Sequence, residues 1–143
     1  MKHTLSFAKL YSKSLYADSE EKTQGYAVST LVYGVQWDAT VRWLEKKYPG
    51  ISKNSVGYGN YSTSVINTGS NTNYALKNIY DMAGNVYEWT MEKYYTDVNK
   101  GYVSAIVRGG SINYSTQPIS YRYDVYSTYE YKDVGFRVAL YVK

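Results

Sequence analysis

The hydrophobic period changes at Gly84, and that change limits what the chain can fold into. Upstream of it, Trp37, Val41, Leu44 and Tyr48 recur at helical spacing, which predicts an amphipathic helix from about Gly34 to Tyr48, stopped by Pro49-Gly50. Phe7, Leu10, Tyr11, Ser14 and Leu15 share the face of an earlier helix over residues 5–17, ended by the polar run from Asp18 to Gln24. Downstream, Tyr87, Trp89 and Met91 alternate with Glu88, Thr90 and Glu92, the pattern of a half-buried strand. Phe136, Val138, Leu140 and Val142 alternate in the same way, predicting that the chain ends in a core strand. Between the two regimes, residues 51–78 are rich in Ser, Thr, Asn and Gly without a period, so a long loop is expected, and a loop this long inside a compact domain has to be held by something. Helices followed by strands predict an α+β fold with one core.

The 143 residues fit a single domain, 1–143. No stretch is apolar for the ~20 residues a membrane helix needs, and the start, Met1-Lys2-His3-Thr4, lacks the apolar core of a signal peptide, so no membrane insertion is expected and the compartment stays open. A net charge of +4 comes from scattered cations, with Lys46-Lys47 the one adjacent pair, whereas nucleic-acid footprints cluster; no nucleic-acid partner is expected. Cysteine is absent, which removes disulfides, thiolate metal sites and thiol nucleophiles. Tyrosine is the anomaly, at 20 residues against two phenylalanines. It provides a rigid face with a polar tip at low rotamer cost, as binding loops require, although a β-rich fold also uses it on half-buried faces.

Three segments carry a resemblance. Tyr33-Gly34-Val35-Gln36-Trp37-Asp38-Ala39 comes first, and Asn78-Ile79-Tyr80-Asp81-Met82-Ala83-Gly84-Asn85-Val86-Tyr87-Glu88-Trp89-Thr90 second. The third is Arg108-Gly109-Gly110-Ser111 followed by Gly135-Phe136-Arg137-Val138-Ala139. In this order they resemble the sulfatase-modifying, formylglycine-generating-enzyme family. The resemblance implies a C-type-lectin-like fold of two helices, small antiparallel sheets and long irregular loops; further N-terminal strands usual in the family have no counterpart here. It also implies structural Ca²⁺ at Asp81 and Glu88, with the carbonyls of Gly84 and Val86, and a second site at Asn60, the carbonyl of Tyr61, Asn71 and the carbonyl of Asn73. Hard Ca²⁺ takes six to eight oxygens, and a glycine turn flanked by two carboxylates can supply several. At the second site Asn71 stands where the family tends to place aspartate, removing a charge. Read without the family, Glu88 is an exposed strand residue and Asp81 a turn former.

Oxidase members of the family bind copper through two cysteines, which map to about Tyr114 and Ser120; neither replaces a thiolate. Sulfoxide-forming relatives hold non-haem iron through several histidines, and this chain has His3 alone. A Ser-His-Asp triad would also have to recruit His3, and carboxylates such as Glu20-Glu21 or Glu88 with Glu92 are more often solvated or metal-bound than poised for acid–base work. The expectation is a protein that is not an enzyme.

The stretch from Ile112 to Asp133 is composed of what a binding surface needs. Its candidate ligand-binding residues are Asn113, Tyr114, Ser115, Tyr121, Tyr123, Asp124, Tyr126, Ser127, Tyr129 and Tyr131. A segment between Arg-Gly-Gly-Ser and Gly-Phe-Arg is what the variable proteins of diversity-generating retroelements rewrite at adenines, turning Asn codons into Tyr, Ser or Asp; this chain resembles them there. An unvaried tyrosine-rich loop fits the composition equally. The function expected is a receptor-binding or adhesin-like module for a protein or glycan on a cell or phage surface. The alternative is a structural phage tail or fibre component that packs through the same tyrosines.

Overall fold

The computed structural model describes residues 4–15, 27–62, 64–97 and 102–142. His3 and the run from Asp18 to Gln24 lie outside them.

Helix α1 spans Leu5–Leu15, followed by strand β1 (Ala27–Leu31) and helix α2 (Gly34–Glu45). Two single 3₁₀ turns, Val56–Tyr58 and Thr72–Tyr74, punctuate the long loop before the two-residue strands β2 (Ala75–Leu76) and β3 (Ile79–Tyr80). The remaining strands are β4 (Tyr87–Asp97), β5 (Tyr102–Arg108), β6 (Arg122–Tyr126), β7 (Val134–Phe136) and β8 (Val138–Val142). They form a four-stranded sheet in the order β6-β5-β4-β7 and two-stranded sheets β1-β8 and β2-β3. All pairings are antiparallel except β4 with β7, which run parallel, so the main sheet is mixed where antiparallel sheets were expected.

Helix α2 forms where the stripe predicts it. Trp37, Val41 and Leu44 are buried, and the Gln36 side chain accepts the Tyr33 backbone N–H at 2.9 Å, satisfying one donor of the first turn. The helix ends at Glu45, a turn before Pro49, and the Glu45 carboxylate then accepts the N–H groups of Gly50 (2.6 Å) and Ser52 (3.0 Å), fixing the exit of the chain.

Helix α1 keeps its position but not its expected face. Leu5, Ala8 and Ser12 are buried, whereas Phe7, Leu10, Tyr11 and Leu15 are exposed, Leu10 at 71%. The cause is close approach to β1: the Ser29 hydroxyl donates to the Ser12 carbonyl at 2.5 Å, a distance that small side chains permit. The displaced aromatics form their own cluster, with Phe7 and Tyr11 edge-on to Phe136 at 6.4 and 5.7 Å.

Strand β4 corrects the half-buried expectation. Tyr87 and Trp89 enter the core, but Glu88 and Thr90 are buried on the other face, because α2 and the loop cover it; the Thr90 hydroxyl donates to the Ile106 carbonyl at 2.9 Å. The terminal strand corrects a second one. Leu140 is 54% and Val142 77% exposed, since β8 pairs only with β1 in a two-stranded sheet that leaves those residues uncovered. Leu140→Ala should therefore change unfolding free energy by no more than about 0.5 kcal/mol in urea melts, the range of surface substitutions.

The long loop is held by side-chain amides. The Asn60 amide nitrogen donates to the Ser64 carbonyl and to the Asn85 Oδ1, both at 3.0 Å, while Asn85 Oδ1 also accepts the Ile66 N–H and Asn85 Nδ2 donates to the Ile66 carbonyl, each at 3.0 Å. Residues 60 and 84 bridge in parallel, and Gly84 (φ 68°) lies so close to Asn60 that an added Cβ would sit 2.4 Å from its carbonyl oxygen. Buried polar groups satisfied this completely specify one loop conformation.

Candidate functional site

Edge strand β6 and the turns on either side of it enclose a cleft of about 390 Å³. Tyr87 forms its floor from β4, with the ring nearly fully buried and packed 5.9 Å from Tyr114 and 5.7 Å from Tyr123; Tyr114 and Tyr123 are 6.4 Å apart. Tyr126 and Tyr131 line the other end, where the Tyr131 hydroxyl accepts the Tyr126 N–H at 3.1 Å and its ring meets Trp89 edge-on at 6.2 Å. Asp124 stands at the rim. Asp133 accepts the Tyr87 N–H through its carbonyl (2.8 Å), and its carboxylate accepts the Ser111 hydroxyl (3.3 Å) and the Asn113 amide (3.0 Å). The Tyr87 hydroxyl is buried without a hydrogen-bond partner. Burial pushes its ionisation far up, and the nearby Tyr114 and Asp133 push it further, so at neutral pH it is a protonated donor.

Of the residues singled out in the sequence, the cleft gathers Tyr114, Tyr123, Asp124, Tyr126 and Tyr131. Asn113 braces Asp133 from outside, Tyr121 is exposed, and the Tyr129 ring meets Tyr126 at a tilt, 5.3 Å between centroids. Ser115 lines a separate, smaller hollow with Lys53 and Pro118. Ser127 is a correction: it is buried, its N–H donating to the Val103 carbonyl and its carbonyl accepting the Leu5 N–H, so it is scaffold. Tyr87, Ser104, Val125, Asp133 and Val134 complete the lining. Period-two alternation marks Tyr87 only as buried; nothing in it separates a core position from the floor of a cleft.

Behind the cleft, the Arg-Gly-Gly-Ser segment is anchored by charge. Arg108 is fully buried and pairs with Asp38 of α2 at 2.5 Å and Glu92 of β4 at 3.4 Å. Arg122 of β6 pairs with the same two carboxylates at 2.5 and 2.8 Å. Partial burial raises the Asp38 pKa, but the two guanidiniums outweigh it and hold the carboxyl below its ordinary range. The network ties α2, β4, β5 and β6 together. Gly110 (φ 74°) then turns the chain so tightly that a Cβ would meet the Gln117 carbonyl at 2.4 Å.

Residues 13–142 match the sulfatase-modifying factor enzyme 1-like domain (FGE-sulfatase). The chain belongs to this family. Among solved structures, CarF shares the fold at 20% identity and a TM-score of 0.60, covering 81% of this chain and 48% of its own. Treponema denticola variable protein 1 does so at 18% identity and a TM-score of 0.50, covering 78% and 47%. This chain thus spans less than half the length of either structure. No curated protein matches the sequence.

The family's calcium positions are occupied by other chemistry. Glu88 is gripped by Arg137, whose Nη2 reaches Oε1 at 2.6 Å while its Nε binds Oε2. Burial pushes the Glu88 carboxyl up, against the pull of Arg137. Asp81 Oδ2 accepts the Gly69 N–H at 2.8 Å, and its Oδ1 is buried without a partner, so of the two carboxylates one oxygen is left uncommitted beside the carbonyls of Gly84 and Val86. At the second position, Asn60 Oδ1 accepts the Ser62 N–H and hydroxyl at 3.2 and 2.5 Å, and Asn71 Oδ1 caps the turn by accepting the Asn73 N–H at 3.0 Å. Tyr61 donates its hydroxyl to the Gln117 carbonyl at 3.1 Å, and burial raises its pKa to about 12. In neither set do the side-chain oxygens stand free as a group for a calcium ion, and among the described residues no three His, Cys, Asp or Glu side chains converge as a metal site. At the family's thiol positions, Tyr114 lines the cleft and the Ser120 hydroxyl donates to the Ser52 carbonyl at 2.5 Å.

Proposed function

We propose that this domain is a non-catalytic ligand-binding module, of the receptor-binding or adhesin type, and that the tyrosine cleft beside β6 is its binding surface. The observation that carries this reading is the cleft itself: tyrosines from four chain segments converge on one concavity, with exposed rings above a buried floor. Rigid aromatic anchors among short polar neighbours make contact area at low entropic cost, which suits recognition of a protein or glycan. Cysteine is absent, and the resemblance maps the thiol positions of the family's oxidases to about Tyr114 and Ser120, which cannot replace them. The resemblance to retroelement variable proteins supports the same reading, because the cleft draws on the segment those proteins diversify.

A protein and glycan array probed with the natural chain and with a Tyr123→Ser/Tyr126→Ser double variant tests this. Tyr123 is 38% and Tyr126 41% exposed, so the variant should melt within about 1 kcal/mol per site of the natural chain, while a bound partner should lose about 2 kcal/mol or more at a hot-spot position. Sedimentation is the second readout. An obligate oligomer that buries Tyr121 to Tyr131 would replace this reading with the structural-component one.

A further inference from the structure

We infer that the tyrosine cleft takes a cation, the Lys or Arg side chain of a protein partner. The inference rests on the proposed binding role of the cleft and adds the chemistry of what binds.

Charge complementarity is the main argument. The chain carries a net charge of +4, yet two of the ten residues lining this cleft are aspartates and none is basic. The neighbouring arginine on β6, Arg122, faces away and is already committed to Asp38 and Glu92. Aromatic faces attract a cation through the ring quadrupole, and Tyr87, Tyr114 and Tyr123 form a contiguous triad of rings. Asp133 is held in place by Ser111 and Asn113, so its charge is fixed beside the triad without side-chain reorganisation. Tyr87 is nearly fully buried and serves as the backing of the triad, while Tyr114 and Tyr123, both exposed, present the accessible faces. An anion would meet two carboxylates and the negative faces of the rings. A neutral apolar group would gain nothing from the two carboxylates. The same tyrosines and aspartates could stack and hydrogen-bond a sugar, so the test carries a sugar arm.

The probes are Nα-acetyl-lysine methylamide and Nα-acetyl-arginine methylamide, each beside its neutral isostere, the norleucine and citrulline compounds, with methyl glucoside as the sugar. Titrations followed by the aromatic NMR signals of the tyrosines should shift Tyr87, Tyr114 and Tyr123 with the cationic probes, at affinities at least about three-fold above the isosteres, the effect of a cation over exposed to partly desolvated rings. Tyr123→Leu and Asp124→Asn, both at exposed positions, should each reduce that ratio while leaving the melting curve in place. Asp133→Asn should reduce it most; Asp124→Asn keeps the inference testable if loss of the Ser111 and Asn113 contacts unfolds that variant. Equal binding of an isostere, or stronger binding of the glucoside at the same rings, overturns the cation and leaves the cleft as a binding site. Failure of every probe to move the three rings up to its solubility limit also overturns the cation, and the array experiment then judges the binding role separately.

Discussion

Trp37→Ala should lower the free energy of unfolding by about 3–5 kcal/mol, the range for truncating a fully buried large aromatic. Trp37 has no exposed surface and sits at the centre of a cluster with Val41, Leu44, Ile51, Met82 and Ile119. Three further losses accompany the cavity. The indole N–H donates to the Ile119 carbonyl at 2.8 Å, a buried acceptor that alanine leaves without that donor. The guanidiniums of Arg108 and Arg137 lie 5.9 and 5.6 Å from the ring, within cation–π range. Gly109 packs on the ring edge, so the turn that starts the Arg-Gly-Gly-Ser segment loses its backing. Trp37→Phe separates these contributions, since it keeps much of the volume and deletes the donor; a loss of about 1–2 kcal/mol in urea melts is expected. A drop below about 1 kcal/mol for the alanine variant would mean that α2 does not pack as described.

The contrast between Trp37 and Leu140 shows which parts of the fold were legible in the sequence. A helical stripe of large residues bounded by Pro49-Gly50 leaves one way to bury it, and Trp37, Val41 and Leu44 are buried as the stripe predicts. Alternation in the terminal strand identifies a strand but not how many neighbours cover it, and β8 has one. Helix α1 misled for a related reason: hydrophobicity selects Phe7, Leu10 and Tyr11, while close approach to β1 selects Ala8 and Ser12. Contact distance is a tertiary property that side-chain polarity does not encode.

The site divides along the same line. The tyrosines of residues 112–133 were visible as a composition, and five of the ten candidates in that stretch line the cleft. Tyr87, which makes its floor, comes from the strand before, and the parallel pairing of β4 with β7 brings it beside Asp133, the last residue of that stretch, which was not among the candidates. Asp81 and Glu88 were legible as a family motif, but the partner of Glu88 was not, since Arg137 is 49 residues away.

That pairing leads to the second large effect. Glu88→Ala should destabilise the fold by about 3 kcal/mol, because it strands a guanidinium whose environment was built around the carboxylate, and breaking a buried ion pair is far more damaging than replacing it whole. Glu88 is buried at 7% exposure and Arg137 is mostly enclosed, between the Glu88 carboxylate, the Tyr80 carbonyl (3.2 Å) and the Trp37 ring. Glu88→Gln retains shape and one acceptor but removes the charge, so it should fall between the natural chain and the alanine variant. Arg137→Met with Glu88→Leu removes both charges and fills the space, and should recover part of the loss relative to Glu88→Ala; the double-mutant cycle then isolates the pair energy. The decisive comparison is the same series melted in millimolar calcium and in chelator. An ion that bound only the folded state would raise the melting temperature of the natural chain and not of Glu88→Ala. With both Glu88 oxygens held by Arg137, the two conditions should give the same difference between variants. A calcium-dependent gap that closes on Glu88→Ala would return this carboxylate to the metal and overturn its assignment as the counter-ion of Arg137.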